Sequence, residues 1–198
     1  MVFVGAAVYL ARPLLPAHTH TEGTTVDTAI IAGIVAVVVA LLGTYLKDFA
    51  AERYKRHKDA CAIAAGLAGE LAAYAPALPI LLAAFDTFLQ LVDSGKRGEI
   101  VLEKIERPSD KFYDKAVDKL GLLGPELVED IVFVYSNIAA FRMTFENIAV
   151  NRKDMSDAQL RGQILGCRFA VTNAKDKGVE LIERLRLRGK QSFQLFDS

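Results

Sequence analysis

The sequence has few of the residues that cross-link small proteins or attract them to nucleic acid. Its 198 residues include two Cys and no Trp, and 24 basic residues are balanced by 24 acidic ones. Two Cys cannot build a disulfide framework, and a chain without basic excess lacks the charge expected of a nucleic-acid-binding protein. Six Pro and 14 Gly exclude a collagen-like chain and a Pro/Gly-rich disordered chain.

Recognised catalytic and cofactor-binding motifs are also missing. The chain has no glycine-rich phosphate loop, no H-E-x-x-H and no G-x-S-x-G, the patterns of nucleotide, zinc-protease and serine-hydrolase sites. His18, His20 and His57 do not form the three or four convergent ligands that a metal needs. We interpret Cys61 and Cys167 as small apolar helix residues. We therefore expect no catalytic residue, no metal, no cofactor and no enzyme.

One uncharged stretch is long enough to cross a membrane. Residues 28–46 read TAIIAGIVAVVVALLGTYL, between Asp27 and Lys47. As a helix this stretch would rise about 28 Å, close to the roughly 30 Å hydrocarbon core of a bilayer. The alternative is a fully buried helix of a soluble protein. We predict a transmembrane helix, which explains a mean hydropathy of +0.24 in a chain that is 24% charged.

Basic residues after this stretch predict its orientation. Five follow it closely, whereas Arg12 is the only one that precedes it. Lys and Arg accumulate on the cytoplasmic side of spans, so we expect a cytoplasmic C-terminal part, an outside N-terminus and reduced thiols. The same five side chains can contact anionic lipid headgroups, at roughly 1 kcal/mol each. They are Lys47, Arg53, Lys55, Arg56 and Lys58.

Small residues recur every four positions within the predicted span. Ala32, Ala36, Ala40 and Thr44 would share one helix face, where small side chains let another membrane helix approach closely. The alternative is that Ala is simply common in this chain. We predict that this face contacts a membrane-protein partner or a second copy of the chain.

The segment before the span, residues 1–27, allows three interpretations. Its first sixteen residues, MVFVGAAVYLARPLLP, are apolar, but the basic residue follows the apolar run instead of preceding it as in a signal peptide. The segment is an interfacial helix, a half-span or an atypical signal sequence. We prefer the interfacial helix, because Arg12 could reach the lipid headgroups.

The rest of the chain predicts an all-α cytoplasmic domain. Helical spacing of apolar residues, Pro76 as a helix terminator and Pro125 at a first helical position divide residues 59–188 into a bundle of four to six helices. A basic stalk, residues 47–58, joins this domain to the span. Predicted helices after the stalk cover residues 59–74, 79–93, 110–123, 125–150 and 157–188, and residues 98–108 form a short helix or an extended connection.

The predicted helix 125–150 is the candidate central helix of the core. Apolar residues of the predicted helix 125–150 advance in steps of three and four, which is typical of one buried face. They are Leu127, Ile131, Val134, Ile138, Phe141, Phe145 and Ile148. Ser156 and Gln159 match a capping box at the start of the last helix. The tail, residues 189–198, is either loose or docks Phe193, Leu195 and Phe196 on a partner.

The stretch LGLLGPELVEDIVFVY, residues 120–135, resembles a motif of uncharacterised bacterial single-pass membrane proteins. Those proteins share one N-terminal span, a basic stalk and an Ala-rich helix with an acidic residue, here AGELAAY. The resemblance implies bacterial origin, single-pass topology and a helical fold, and we expect the chain to lie in the bacterial inner membrane. It implies no activity and no functional residues.

These observations favour a non-enzymatic membrane-anchored scaffold, adaptor or accessory subunit of a membrane protein complex. The second hypothesis is a self-assembling membrane effector or sensor, of the stress or phage-defence type, suggested by the apolar N-terminal residues. The third is an enzyme whose site has no recognised motif. An apolar pocket ringed by buried titratable groups would support that third hypothesis.

Overall fold

The structure is a computed structural model that describes residues 22–102 and 110–194, with side chains from residue 30 onward. Every regular element within these ranges is a helix, so the all-helical prediction is confirmed. The chain divides into two compact units, Met1–Phe49 and Ala50–Ser198. Most of the predicted N-terminal segment 1–27 lies outside the described residues, including His18 and His20.

Helix α1, Glu22–Tyr74, contains the candidate membrane span. Among the described residues, one helical stretch near the N-terminus is long and apolar enough to cross a membrane, and its most apolar window has no buried residue. Side chains from residue 30 to residue 49 are all exposed. The alternative of a soluble core helix requires burial, which this part of α1 does not have.

Four further α-helices follow in the described part of the second unit, and prolines and glycines explain several of their ends. Pro76 lies in a 3-10 turn, Ala75–Ala77, where α1 stops because Pro lacks the backbone N–H. Gly95 and Gly124 have φ angles of +75° and +91°, which favour Gly at the two turns. The helices are α2, Leu78–Asp93; α3, Lys111–Ala116; α4, Pro125–Asn151; and α5, Asp157–Gly189.

Local sequence signals fix the start of the last two helices. Pro125 opens α4 immediately after the positive-φ Gly124. The Ser156 side chain accepts from the backbone N–H of Gln159 at 3.2 Å, and the Gln159 side chain accepts from the N–H of Ser156 at 2.9 Å. The predicted capping box is therefore confirmed.

The helix predicted for residues 110–123 is helical over nearly its whole length but changes type along it. Only Lys111–Ala116 is α-helical, and Val117–Leu123 continues as a 3-10 helix. A six-residue helix is too short to be stable alone, so its position depends on contacts with other helices.

Two hydrophobic clusters form the core of the second unit. The first joins the later part of α1 to the 3-10 helix Val117–Leu123, the first half of α4 and the second half of α5. The second joins α2 and Ile100 to the second half of α4 and the first half of α5. Helices α4 and α5 thus contribute to both clusters.

The buried face of α4 is narrower than predicted. Leu127, Ile131, Val134 and Ile148 are buried, as expected. Ile138, Phe141 and Phe145 are only half-buried, because they line a cavity between the helices.

Two glycines of α1, one turn apart, should respond oppositely to substitution by Ala. A Cβ at Gly66 would lie 2.0 Å from the Phe112 ring, whereas a Cβ at Gly69 would meet nothing within 4 Å. We expect Gly69→Ala to stabilise the fold by about 0.5–1 kcal/mol, through helix propensity. Gly66→Ala should destabilise the fold by about 1–2 kcal/mol, because the Phe112 ring must move away from its packed position. Urea denaturation measures both, and equal effects would contradict this contact.

Candidate functional site

An apolar cavity of about 840 Å³ lies within the second unit. The end of α1 and the start of α2 form one side, and facing residues of α4 and α5 form the other. Its volume falls within the range of about 300–1,000 Å³ that is typical of ligand pockets. Apolar lining and a few polar groups at the edge make this cavity the candidate functional site.

Small residues leave the space open. Ala75 and Ala77 lie where α1 gives way to α2, Ala149 lies on α4, and Ala174 and Gly178 lie on α5. Gly178 is buried, yet a Cβ at this position would meet no atom within 4 Å. The open space beside α5 therefore results from small side chains and not from a break in the helix.

A hydrogen-bonded trio lies at the edge of the cavity. Tyr74 and Arg142 line it, and both bind Asp110, which precedes α3. The Tyr74 hydroxyl donates to Asp110 Oδ1 at 2.8 Å, and Arg142 Nη2 donates to the same oxygen at 3.0 Å. Arg142 Nη1 donates to Asp110 Oδ2, so the ion pair is bidentate.

A second carboxylate holds α3 against α1 and α4. Glu70 accepts from the backbone N–H groups of Phe112 at 2.9 Å and Tyr113 at 3.1 Å. It also accepts from the Tyr135 hydroxyl at 2.8 Å. The Tyr113 and Tyr135 rings stack with centroids 3.9 Å apart. Glu70 thus satisfies N–H groups that a helix start leaves without partners.

These contacts shift the acid–base behaviour of the tyrosines. Burial, reinforced by the hydrogen bond to Asp110, raises the pKa of Tyr74 to about 12. Burial and the Glu70 carboxylate also raise the pKa of Tyr135. Burial alone would lower the pKa of Arg142, but its hydrogen bond and charge interaction with Asp110 raise it overall. At neutral pH all three groups hold their protons and act as hydrogen-bond donors.

The titratable groups in and beside the cavity are already engaged or buried. Its half-buried polar groups, Tyr74 and Arg142, are already paired with Asp110. The thiol of Cys167 in the neighbouring core is buried, and burial raises its pKa to about 12, so the thiol stays protonated. Among the described residues, no group of three or more His, Cys, Asp or Glu side chains could hold a metal ion.

The predicted helix-packing face lies in the first unit. Ala32, Ala36, Ala40 and Thr44 belong to one uninterrupted stretch of α1 and are exposed. Their spacing of four therefore places them along one side of the helix. The Thr44 hydroxyl donates to the carbonyl of Ala40 at 3.0 Å, which satisfies this polar group within the helix.

The side chains predicted to contact lipid headgroups differ in the interactions that they make within the chain. Arg56 pairs with Glu52 at 2.9 Å, and Lys58 lies over the Tyr54 ring at 5.6 Å. Arg53 also has an interaction of its own. Lys47 and Lys55 are exposed. Lipid contact by these five residues stays a prediction.

Part of the tail packs on its own chain. The Phe193 ring meets the rings of Tyr54 at 5.2 Å and His57 at 5.5 Å, both edge-on. His57 Nε2 lies 3.0 Å from the carbonyl oxygen of Gln191. Phe193 therefore has an intramolecular site, and partner contact through it stays a prediction. Leu195 and Phe196 lie outside the described residues.

Sequence reasoning missed both the cavity and the trio at its edge. Tyr74, Asp110 and Arg142 are far apart in the chain, and no short motif links them. The signal in the sequence that could have predicted the cavity is the concentration of Ala and Gly next to long apolar helix faces.

No protein-family model, curated protein or solved structure matches this chain.

Removing the Glu70 charge should destabilise the second unit. In Glu70→Gln the amide nitrogen cannot accept, so at least one of three hydrogen bonds is lost, at a cost of about 1–3 kcal/mol. Glu183→Gln removes an exposed pair with Arg186 and should change stability by less than about 0.5 kcal/mol. Urea denaturation compares the two variants. Equal effects would contradict a supporting role for Glu70.

Stability should fall at alkaline pH. The folded-state pKa of Tyr74 is raised from 10.0 to about 12, so its contribution is complete below pH 10 and lost as pH rises towards 12. The pKa values of Tyr113 and Tyr135 are also raised. We expect the free energy of unfolding to decrease across this window, and Tyr74→Phe to flatten the decrease. Denaturation at a series of pH values measures this decrease in the free energy of unfolding. An equally steep decrease in Tyr74→Phe would contradict its assignment to Tyr74.

Proposed function

We propose that the protein is a non-enzymatic, single-pass membrane-anchored adaptor or accessory subunit of a membrane protein complex. The observation that carries this proposal is the exposed apolar part of α1. Ile31, Val39 and Leu41 are each more than 60% exposed, a state that water penalises and a lipid bilayer favours. The proposed location is the bacterial inner membrane.

The proposed orientation rests on the charged residues that follow the span. Lys47, Arg53, Lys55, Arg56 and Lys58 would lie on the cytoplasmic side, with the helical domain, and would contact anionic headgroups. Arg56 could do so while paired to Glu52, because both side chains are exposed.

The proposed partner is another membrane helix, from a different protein or from a second copy. It would contact the face formed by Ala32, Ala36, Ala40 and Thr44, where small side chains permit close packing. Because the Thr44 hydroxyl is bonded within α1, this face could pack without leaving a polar group unsatisfied.

A bulky residue on this face should weaken the complex without affecting membrane insertion. Ala36→Ile adds volume at the proposed contact, whereas Val38→Ile adds volume on the opposite side of the helix. We expect Ala36→Ile to lower recovery of the partner about tenfold, the factor that corresponds to 1.4 kcal/mol. Pull-down from native membranes in mild detergent, with mass spectrometry, measures recovery.

Two controls complete this experiment. Alkaline extraction should leave both variants in the membrane fraction, and protease treatment of sealed inverted vesicles should digest the helical domain. A monomer with no partner in the unmodified protein would contradict the adaptor proposal. Release by alkali would contradict the membrane anchor itself.

A further inference from the structure

The cavity has an apolar rim as well as an apolar floor. Ile80 of α2, Val150 of α4 and Val179 of α5 line it and are 72%, 71% and 62% exposed. These three side chains come from three helices, so exposed apolar surface at the cavity is not confined to one helix. A ligand lying between them would remove apolar surface from water on several sides.

Small residues from two helices line the cavity. Gly178 and Ala174 on α5 are buried, and Ala149 of α4 also lines the cavity. The absence of any atom within 4 Å of a Cβ at Gly178 shows that the space reaches the helix backbone. A hydrocarbon chain could pack against these small residues, and a volume of about 840 Å³ is that of a small-molecule site.

The charge at the rim indicates the polar end of the ligand. Three charged side chains line the cavity: Arg142 and Lys175 are basic, and Glu146 is acidic and has an interaction of its own. Arg142 is held by Asp110. Lys175 is exposed and makes no ion pair or hydrogen bond with the residues that the structure describes. Its ammonium group is therefore available to an anionic group beside an apolar cavity.

We propose that this cavity binds a long-chain fatty acid. The hydrocarbon chain lies along Ala149, Ala174 and Gly178, under the rim of Ile80, Val150 and Val179, and the carboxylate pairs with Lys175. The site lies wholly within the second unit, so the inference does not require the adaptor function. A fatty acid suits the site better than a partner helix, because the volume is that of a single small ligand.

Photolabelling of the full chain in phosphatidylcholine nanodiscs tests this site. The probe is a palmitic acid that carries a diazirine in its chain, and mass spectrometry of digested protein locates the label. We expect label on cavity-lining residues between 134 and 150 and between 171 and 182, displaced by excess unlabelled palmitate. Label on residues 30–46 should resist displacement, because partition into lipid does not saturate.

Variants that fill the cavity or remove its charge sharpen the test. Gly178→Leu puts a side chain into the cavity and should reduce cavity labelling at least about tenfold. Gly162→Leu changes an exposed position of the same helix and should leave cavity labelling unchanged. Lys175→Gln should weaken displacement by palmitate about three- to fivefold, as for an exposed ion pair. Lys153→Gln is its control. If Gly178→Leu fails to fold, Ala149→Leu fills the cavity from α4.

The outcomes separate this inference from the proposed function. Label confined to residues 30–46, or cavity label that neither palmitate nor Gly178→Leu reduces, would overturn the fatty-acid site. Protection of the cavity by a co-purified protein in place of the probe would also overturn it, in favour of a helix-docking groove. Cavity label without label on residues 30–46 would support the site and count against the membrane anchor.

Discussion

The carboxylate of Glu70 holds together parts of the chain that would otherwise separate. Helix α3 has six residues, too few to persist without support. Glu70 binds the N–H groups of Phe112 and Tyr113 and the hydroxyl of Tyr135, which joins α1, α3 and α4. Asp110, at the start of the same short helix, then reaches Tyr74 and Arg142. The edge of the cavity therefore depends on how α3 is held.

The cavity exists because the two hydrophobic clusters do not fill the space between them. Helices α4 and α5 run through both clusters, but α1 stops at Tyr74 and α2 begins at Leu78. Beside this interruption the lining residues of α5 include Ala174 and Gly178, which are too small to occupy the gap. Half-buried Ile138, Phe141 and Phe145 are the consequence, since they face a space where packed side chains would normally lie.

The chain thus presents apolar surface in two forms. In the candidate span, side chains are exposed on every side of α1, which suits a solvent of lipid chains. In the second unit, apolar side chains and a few charged ones line a cavity, which suits a single ligand. The proposed adaptor function uses the first form, and the proposed fatty-acid site uses the second.

The sequence by itself determined the helical class, the candidate span and most helix ends, because these depend on signals within a few neighbouring residues. Pro76, the Gly124–Pro125 pair and the Ser156–Gln159 box act on their own turns. The run of uncharged residues between Asp27 and Lys47 was enough to identify the candidate span of residues 28–46.

Only the tertiary structure decided what the apolar faces do. The spacing of Ile138, Phe141 and Phe145 matches that of buried residues, and a pattern along one helix cannot show whether the opposite helix offers large or small side chains. Likewise Glu70 reaches α3 and Tyr135 across 42 to 65 residues of chain. Such contacts depend on how the helices pack, and no local signal encodes them.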